Sequence, residues 1–417
     1  MSIISSFSPT AISRLSTDQI RNLASSDFKA MTTAQVNALT STQLAAMEDA
    51  DIQAFSASQV GALSASSLAA DDAGIYSRVE LLAGSQIKAL STTQISQFNT
   101  NHIDSFSVAD MENFSAAQLN KFSTDVIAGF TTDQLQALTT KQIRGLDSNF
   151  LGSLTSDQLV ALETDQVRAL SGTQLGYLSS DNIIAMETDD LQAISSAQIR
   201  TISTNVIQGL SSDQLNALTT AQMSALTSTQ LASIDTEDIE NLTNTQLGAL
   251  KASQLKGLTS DQMAALTSDQ TPTLTASQLK GLTSTQLAHL GSDQAAALTS
   301  TQVGALSSQQ LNGLSSDAVA ALDSQDINNI SNAVLKKLNT DFIAALSSDQ
   351  VGSLSTAKIS AMSNTQIAAI ETDDITSLTS AQLNALTSLQ IGSLGTDQIE
   401  ALTDDQVSYL ATSQIKF

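Results

Sequence analysis

Large apolar residues recur along this chain at intervals of three and then five, so that the pair repeats every eight residues. From Ser91 to Leu410 forty octads follow one another without a gap. Seven more cover Ser8 to Leu63, and one covers Ala83 to Leu90. TSDQMAAL (Thr259 to Leu266) is typical. Numbered 1 to 8 from that threonine, all 48 octads carry Leu, Ile, Met or Phe at position 8. Position 5 is a large apolar residue in 46 of them, the exceptions being Thr271 and Ala295, and position 4 is Gln in 31.

A period of eight rules out two of the three usual arrangements. Strands would place apolar residues two apart. In one continuous α-helix eight residues advance about 800°, so the apolar pair would drift roughly 80° per octad and no stripe would face a core. A short helix that starts afresh in every octad remains. Ser or Thr at position 1 with Gln at position 4 forms the S/T-x-x-Q capping box, and positions 8 and 5 are the two sites of the hydrophobic staple. Ser, Thr and Asp at positions 1 to 3 cap helices well and continue them poorly.

Charge sorts by the same register. Of 38 acidic residues in octads, 34 occupy positions 1 to 4, and of sixteen basic residues in register thirteen occupy positions 6 or 7. Acid at helix starts and base at helix ends is what the helix dipole favours. A unit of one and a half turns cannot bury its own apolar face, so coils of units must stack. The sequence therefore predicts an all-α solenoid of very short capped helices, one per octad. Positions 5 and 8 fill its narrow Leu/Ile core, and small residues at position 7 allow close approach. The number of octads per coil stays open, because octads lacking Gln at position 4 recur at lags of 16 and 24 residues about equally often.

The octads divide the chain into an N-terminal segment, 1–63, an interruption, 64–82, and a main array, 83–417, with a partial last repeat. The interruption holds nineteen residues, three more than two octads, with Asp71 and Asp72 in its middle. It reads as an inserted loop or longer helix, and its Tyr76 and Arg78 are candidate docking residues of types enriched in interfaces. Five successive octads end in Phe (Phe98, Phe106, Phe114, Phe122 and Phe130), which predicts a locally wider core. TSDQTPTL (Thr267 to Leu274) places Pro272 inside a helix and should be a local weak point.

The 417 residues include no Cys and no Trp, and the net charge is −24. Disulfides, thiolate metal sites and cysteine nucleophiles are thereby excluded. The acidic balance argues against nucleic acid and against anionic membrane surfaces, and no apolar run is long enough to span a bilayer. The opening MSIISSFSPTAISRL lacks a basic stretch followed by an apolar core, so no cleaved signal peptide is expected.

His102 and His289 have no partner at metal-ligand spacing and read as surface or capping residues. No serine lies in G-x-S-x-G and no glycine-rich phosphate cradle occurs. The acidic runs Glu48–Asp51, Glu187–Asp190, Asp235–Asp238 and Glu371–Asp374 lack a calcium-loop ladder. They read as helix-start acids, with weak divalent-cation binding between chains as the alternative. The expectation is a protein that is not an enzyme and takes no cofactor.

ALTTAQ, spelled out from Ala217 to Gln222, resembles the repeats of large bacterial octapeptide-repeat proteins written as strings of Ala-Leu-Thr-Thr-x-Gln. The resemblance covers about nine-tenths of the chain. It implies a bacterial origin and a surface or extracellular role reached without a cleaved signal, and it carries no catalytic residues. LTSDQM and LSSDQV are also similar to the opening of transcription-activator-like effector repeats, but no base-reading loop follows and basic residues are scarce.

Monotony, absence of catalytic constellations and absence of cysteine point to a structural protein that assembles into, or decorates, an extracellular filament, sheath or matrix. Ile3, Ile4 and Phe7 near one end and Ile415 and Phe417 near the other are apolar where a terminal cap would be polar. They are the candidate assembly residues for a head-to-tail homopolymer. The rival reading is a monomeric protein-binding scaffold, an adhesin or effector, and a cytoplasmic location is the alternative to the extracellular one.

Overall fold

The octad builds its own bend. At Thr40 the backbone is extended (φ −84°, ψ 160°), the hydroxyl accepts from the Gln43 N–H at 3.2 Å, and Gln43 Oε1 accepts from the Thr40 N–H at 2.9 Å. The helix Ser41–Ala45 follows, and the Met47 N–H closes it on the Leu44 carbonyl at 3.2 Å, a tightened last turn. The chain then reverses through two extended residues, as at Leu250 (ψ 141°) and Lys251 (ψ 152°). No described residue has a positive φ, so this bend needs no glycine, and Leu-Thr serves as well as any pair.

The computed structural model of the chain describes residues 3–70 and 73–415. Among these residues every regular element is a helix of four to eight residues or a 3-10 turn, without a strand. The expected all-α solenoid is therefore the fold. Position 5 and position 8 side chains, such as Leu44 and Met47, form its core.

The chain has two compact units, residues 1–209 and 210–417, and the division falls within the main octad array. In the first unit each helix packs on the helix three octads away, as Thr33–Asn37 does on Ala57–Ala62 and Thr140–Arg144 on Thr164–Ala169. Gln43 Nε2 reaches the carbonyls of Leu15 and Ile12, 28 and 31 residues earlier. In the second unit Thr236–Ile239 packs on Ser260–Ala265, and Gln262 Nε2 reaches Ile234 and Leu231 over the same 28 and 31 residues. A coil thus takes about 28 residues, three and a half octads. Successive coils are staggered like brickwork, each helix lying over a bend of the coil before it. A half-integral coil is why the sequence lags of 16 and 24 residues gave no answer.

The interruption is absorbed into this stack. It forms the helices Ala65–Leu68 and Ala73–Glu80. Beyond it the amide of Gln86 reaches 31 and 34 residues back, to Phe55 and Ile52, and Gln94 does the same to Leu63 and Val60. The lag has grown by three, the number of extra residues, and by Gln118 it is again 28 and 31. The phenylalanines of the next octads form a buried ladder of mostly edge-to-face rings from Phe98 to Phe130, continued by Phe150, with centroids 5.0–6.2 Å apart.

Pro272 produces less disruption than expected. Its octad forms the 3-10 turn Thr271–Thr273, in which Thr271 is fully buried and its hydroxyl donates to the Thr267 carbonyl. The amides on both sides persist, from Gln270 to Ile239 and Leu242 and from Gln302 to Thr271 and Leu274. Proline stands where its missing N–H is not needed for stacking.

Candidate functional site

The chemistry repeated along this chain is the junction between coils. Position 8 lies in the bend just before the next N-cap, so no helical N–H meets its carbonyl. The position 4 glutamine of the following coil does. Gln142 is a representative case. Its Oε1 accepts from the Thr139 N–H at 2.7 Å, and its Nε2 donates to the Phe114 carbonyl (position 8) and the Met111 carbonyl (position 5), both at 2.7 Å. One buried amide thus uses its acceptor and both donors. It closes its own helix and locks that helix to the previous coil.

Sequence reasoning saw only the first half of this role. The capping box accounts for Oε1, and Glu would serve the box as well. No octad has Glu at position 4, and that exclusion was the available sign that the nitrogen matters.

The other occupants of position 4 show what the junction tolerates. His102 is completely buried, not at the surface. Its Nδ1 lies 3.2 Å from the Asn99 backbone nitrogen and 2.6 Å from Asn99 Oδ1, and its Nε2 lies 3.2 Å from the Leu68 carbonyl. The imidazole therefore spans the same gap as the amide, stacked on Phe98 with centroids 4.7 Å apart. His289, at position 7, is exposed.

Each listed acidic run ends at position 4, where the carboxylate takes a hydroxyl from position 2 of the coil before. Ser25 donates to Asp51 and Ser300 to Asp326, both at 2.7 Å, and Thr164, Ser212 and Ser348 serve Asp190, Asp238 and Asp374. Burial pushes the carboxyls of Asp190 and Asp326 above the usual range, opposed in part by those hydroxyls. Lys358 is also buried at position 4, and loss of hydration lowers its pKa. Among the described residues no three acidic or histidine side chains converge as a metal site would require.

The candidate docking residues are engaged within the chain. The Tyr76 hydroxyl accepts from Asn99 Nδ2 and Asn101 Nδ2 at 3.3 and 3.2 Å, and Arg78 pairs with Asp49. Of the candidate assembly residues, Ile4 is buried and Phe7 half-buried. The carbonyls of both receive the Gln35 amide, at 2.9 and 2.7 Å. Ile415 is exposed, while the side chain of Ile3 and all of Phe417 lie outside the described residues.

The last described coil differs from those before it. Its position 5 residues Ile399, Val407 and Ile415 are 52, 49 and 52 % exposed, although that position is buried along the rest of the array. No amide among the described residues reaches the carbonyls of Leu394, Leu402 and Leu410.

Thirteen overlapping matches to the ALTTAQ repeat family span residues 12–56, 106–228, 231–308, 319–356 and 367–412. The chain belongs to the ALTTAQ repeat family. In the ALTTAQ repeat the six letters straddle the bend. Ala is the small position 7 and Leu supplies the core side chain with the orphan carbonyl. Thr is the cap, and Gln is the amide that locks the coil to its neighbour.

No curated protein matches the chain. Among solved structures it is similar to APUM23 with GGAAUUGACGG, at 12 % identity over 98 % of this chain and 88 % of that one, with a TM-score of 0.17. It is also similar to importin beta, at 12 % identity over 97 % and 63 %, with a TM-score of 0.16. No described helix of the ALTTAQ array is long and apolar enough to cross a membrane.

Proposed function

We propose that this ALTTAQ-repeat chain is a non-enzymatic structural protein that assembles head to tail into a filament or matrix outside the cell. The observation that carries this reading is the uncovered face of the last described coil. Ile399, Val407 and Ile415 stand where every internal coil is covered by the next, beside carbonyls that elsewhere receive an amide. The first octads offer the other half of such a contact. Gln19 is exposed and engages only its own cap, and Leu15 and Leu23 are half-buried. A contact between two different faces does not close on itself, so repetition gives a filament. A net charge of −24 keeps such a chain soluble until faces meet.

The test is negative-stain electron microscopy with analytical ultracentrifugation of the chain at low micromolar concentration, beside the double variant Ile399→Asp/Val407→Asp. Filaments from the parent and monomers from the variant are expected. A parent that stays monomeric, or a variant that still polymerises, refutes the reading. A monomeric protein-binding scaffold is the second reading. It is favoured by Leu389, 71 % exposed at position 3, where the repeat is otherwise polar.

A further inference from the structure

One stretch of the second unit breaks the locking rule for a full coil. The octads beginning at 315, 323, 331 and 339 carry Ala318, Asp326, Val334 and Phe342 at position 4, the longest run without Gln in the array. The position 8 carbonyls 28 residues earlier, those of Leu290, Leu298, Leu306 and Leu314, consequently receive no side-chain amide from the next coil. Part of this junction is closed by small residues instead. The helix Ser292–Ala296, with fully buried Ala295, packs on Ser316–Ala321, with fully buried Ala318. Ser300–Ala305 packs on Ser324–Asn329, where the Asn329 Nδ2 donates to the Ser300 carbonyl at 2.8 Å. Further along, where Val334 replaces the amide, a groove of about 600 Å³ opens over Leu282, Leu306 and Val334.

Asp326 is the polar position 4 side chain of this coil, and it is almost wholly buried. Its Oδ1 accepts from the Ser300 hydroxyl of the preceding coil at 2.7 Å, and its Oδ2 accepts from the Asp323 N–H at 3.2 Å. Ser300 lies two residues beyond Leu298, so the carboxyl sits beside the carbonyl that a glutamine here would lock. An ionised carboxylate can only accept, whereas a protonated one has an O–H to donate. The packed neighbours supply no cation to hold the ionised form. Ser300–Ala305 carries no titratable side chain, Ser348–Ser353 carries only the exposed Asp349, and the helix itself adds Asp323 at its cap.

We propose that this junction is an acid-closed seam, in which protonated Asp326 takes the place of the missing amide and the coils loosen when it ionises. Burial raises the Asp326 pKa above its ordinary 3.8, with the Asp323 charge acting in the same direction and the Ser300 hydroxyl and Asp323 N–H opposing. The seam's added stability is therefore full below that ordinary value and is lost as pH rises through the raised one.

Hydrogen exchange on the whole chain tests this, read as protection factors for the helices Ser300–Ala305 and Ser324–Asn329 between pH 7.5 and 4.5. The amide-locked pair Ser380–Ala385 and Asp404–Tyr409 serves as the internal control. Protection at the seam should rise on acidification, by up to about tenfold for each unit that the group is shifted, while the control pair changes little. Asp326→Asn, permanently neutral, should hold the seam protected at every pH. Val334→Gln, which restores an amide opposite Leu306, should raise protection with the pH response intact. Equal pH responses at seam and control, or an unaltered response in Asp326→Asn, overturn the proposal. Should Asp326→Asn fail to fold, Ser300→Ala provides the second arm. Removing the hydroxyl that favours the ionised form should move the response to higher pH, and an unmoved response refutes the seam.

Discussion

Replacing Gln142 by Met separates the two jobs of the position 4 amide, because methionine keeps the volume and removes every hydrogen bond. Two of those bonds, to the Thr139 N–H and the Met111 carbonyl, join groups with other recourse. The Met111 carbonyl also accepts from the Phe114 N–H, at 3.4 Å. Each such bond contributes about 1 kcal/mol net. The third leaves the Phe114 carbonyl unpaired in the coil junction, which costs about 1–3 kcal/mol. The sum is about 4 kcal/mol for local opening.

Gln19 provides the comparison within the same unit. It is exposed and bonds only its own cap, with its Oε1 accepting from the Ser16 N–H at 2.9 Å, so Gln19→Met should cost about 1 kcal/mol. Native-state hydrogen exchange is the assay, since a stack of nearest-neighbour units need not unfold in two states. Amides of Thr140–Arg144 should exchange roughly 100-fold or more faster in Gln142→Met, and those of Thr17–Arg21 only about fivefold faster in Gln19→Met. Gln142→Glu sharpens the result, since it keeps the capping acceptor and discards both donors. Equal penalties at positions 142 and 19, or a harmless Gln142→Glu, would reduce the glutamine to a helix cap and refute the locking role.

Two further substitutions probe the same stack. Lys358→Gln should stabilise the second unit at neutral pH by about 1 kcal/mol for each bond gained to the Ile327 or Ile330 carbonyl. Because burial lowers the lysine pKa below 10.5, the parent should recover stability as pH rises from the lowered value towards 10.5. Melting curves at pH 7 and pH 10 check both signs. Gly257→Ala should destabilise by about 1–3 kcal/mol, because a Cβ there would lie 2.5 Å from the Ser228 Cβ and 2.9 Å from the Ser228 carbonyl oxygen. Gly248→Ala meets open space inside a helix and should stabilise by about 1 kcal/mol. Similar melting shifts for the two glycines would contradict the close approach at position 7.

Sequence alone determined everything that one octad decides locally. Apolar spacing placed positions 5 and 8 in the core, as Leu44 and Met47 show, and the S/T-x-x-Q pattern placed each N-cap, as at Thr40. These follow from bonds and burial within a few residues, which a repeat displays many times over. The coil of three and a half octads, the amides spanning 28 and 31 residues, and the register shift that absorbs the interruption depend on groups far apart in the chain. Which end residues are covered is of the same kind. Ile4 and Ile415 are both isoleucine near an end, yet only Ile4 is buried by its own chain. Tertiary structure decided these points because position 4 faces the previous coil and position 5 the next. That polarity arises only when staggered coils bring an orphan carbonyl opposite an amide.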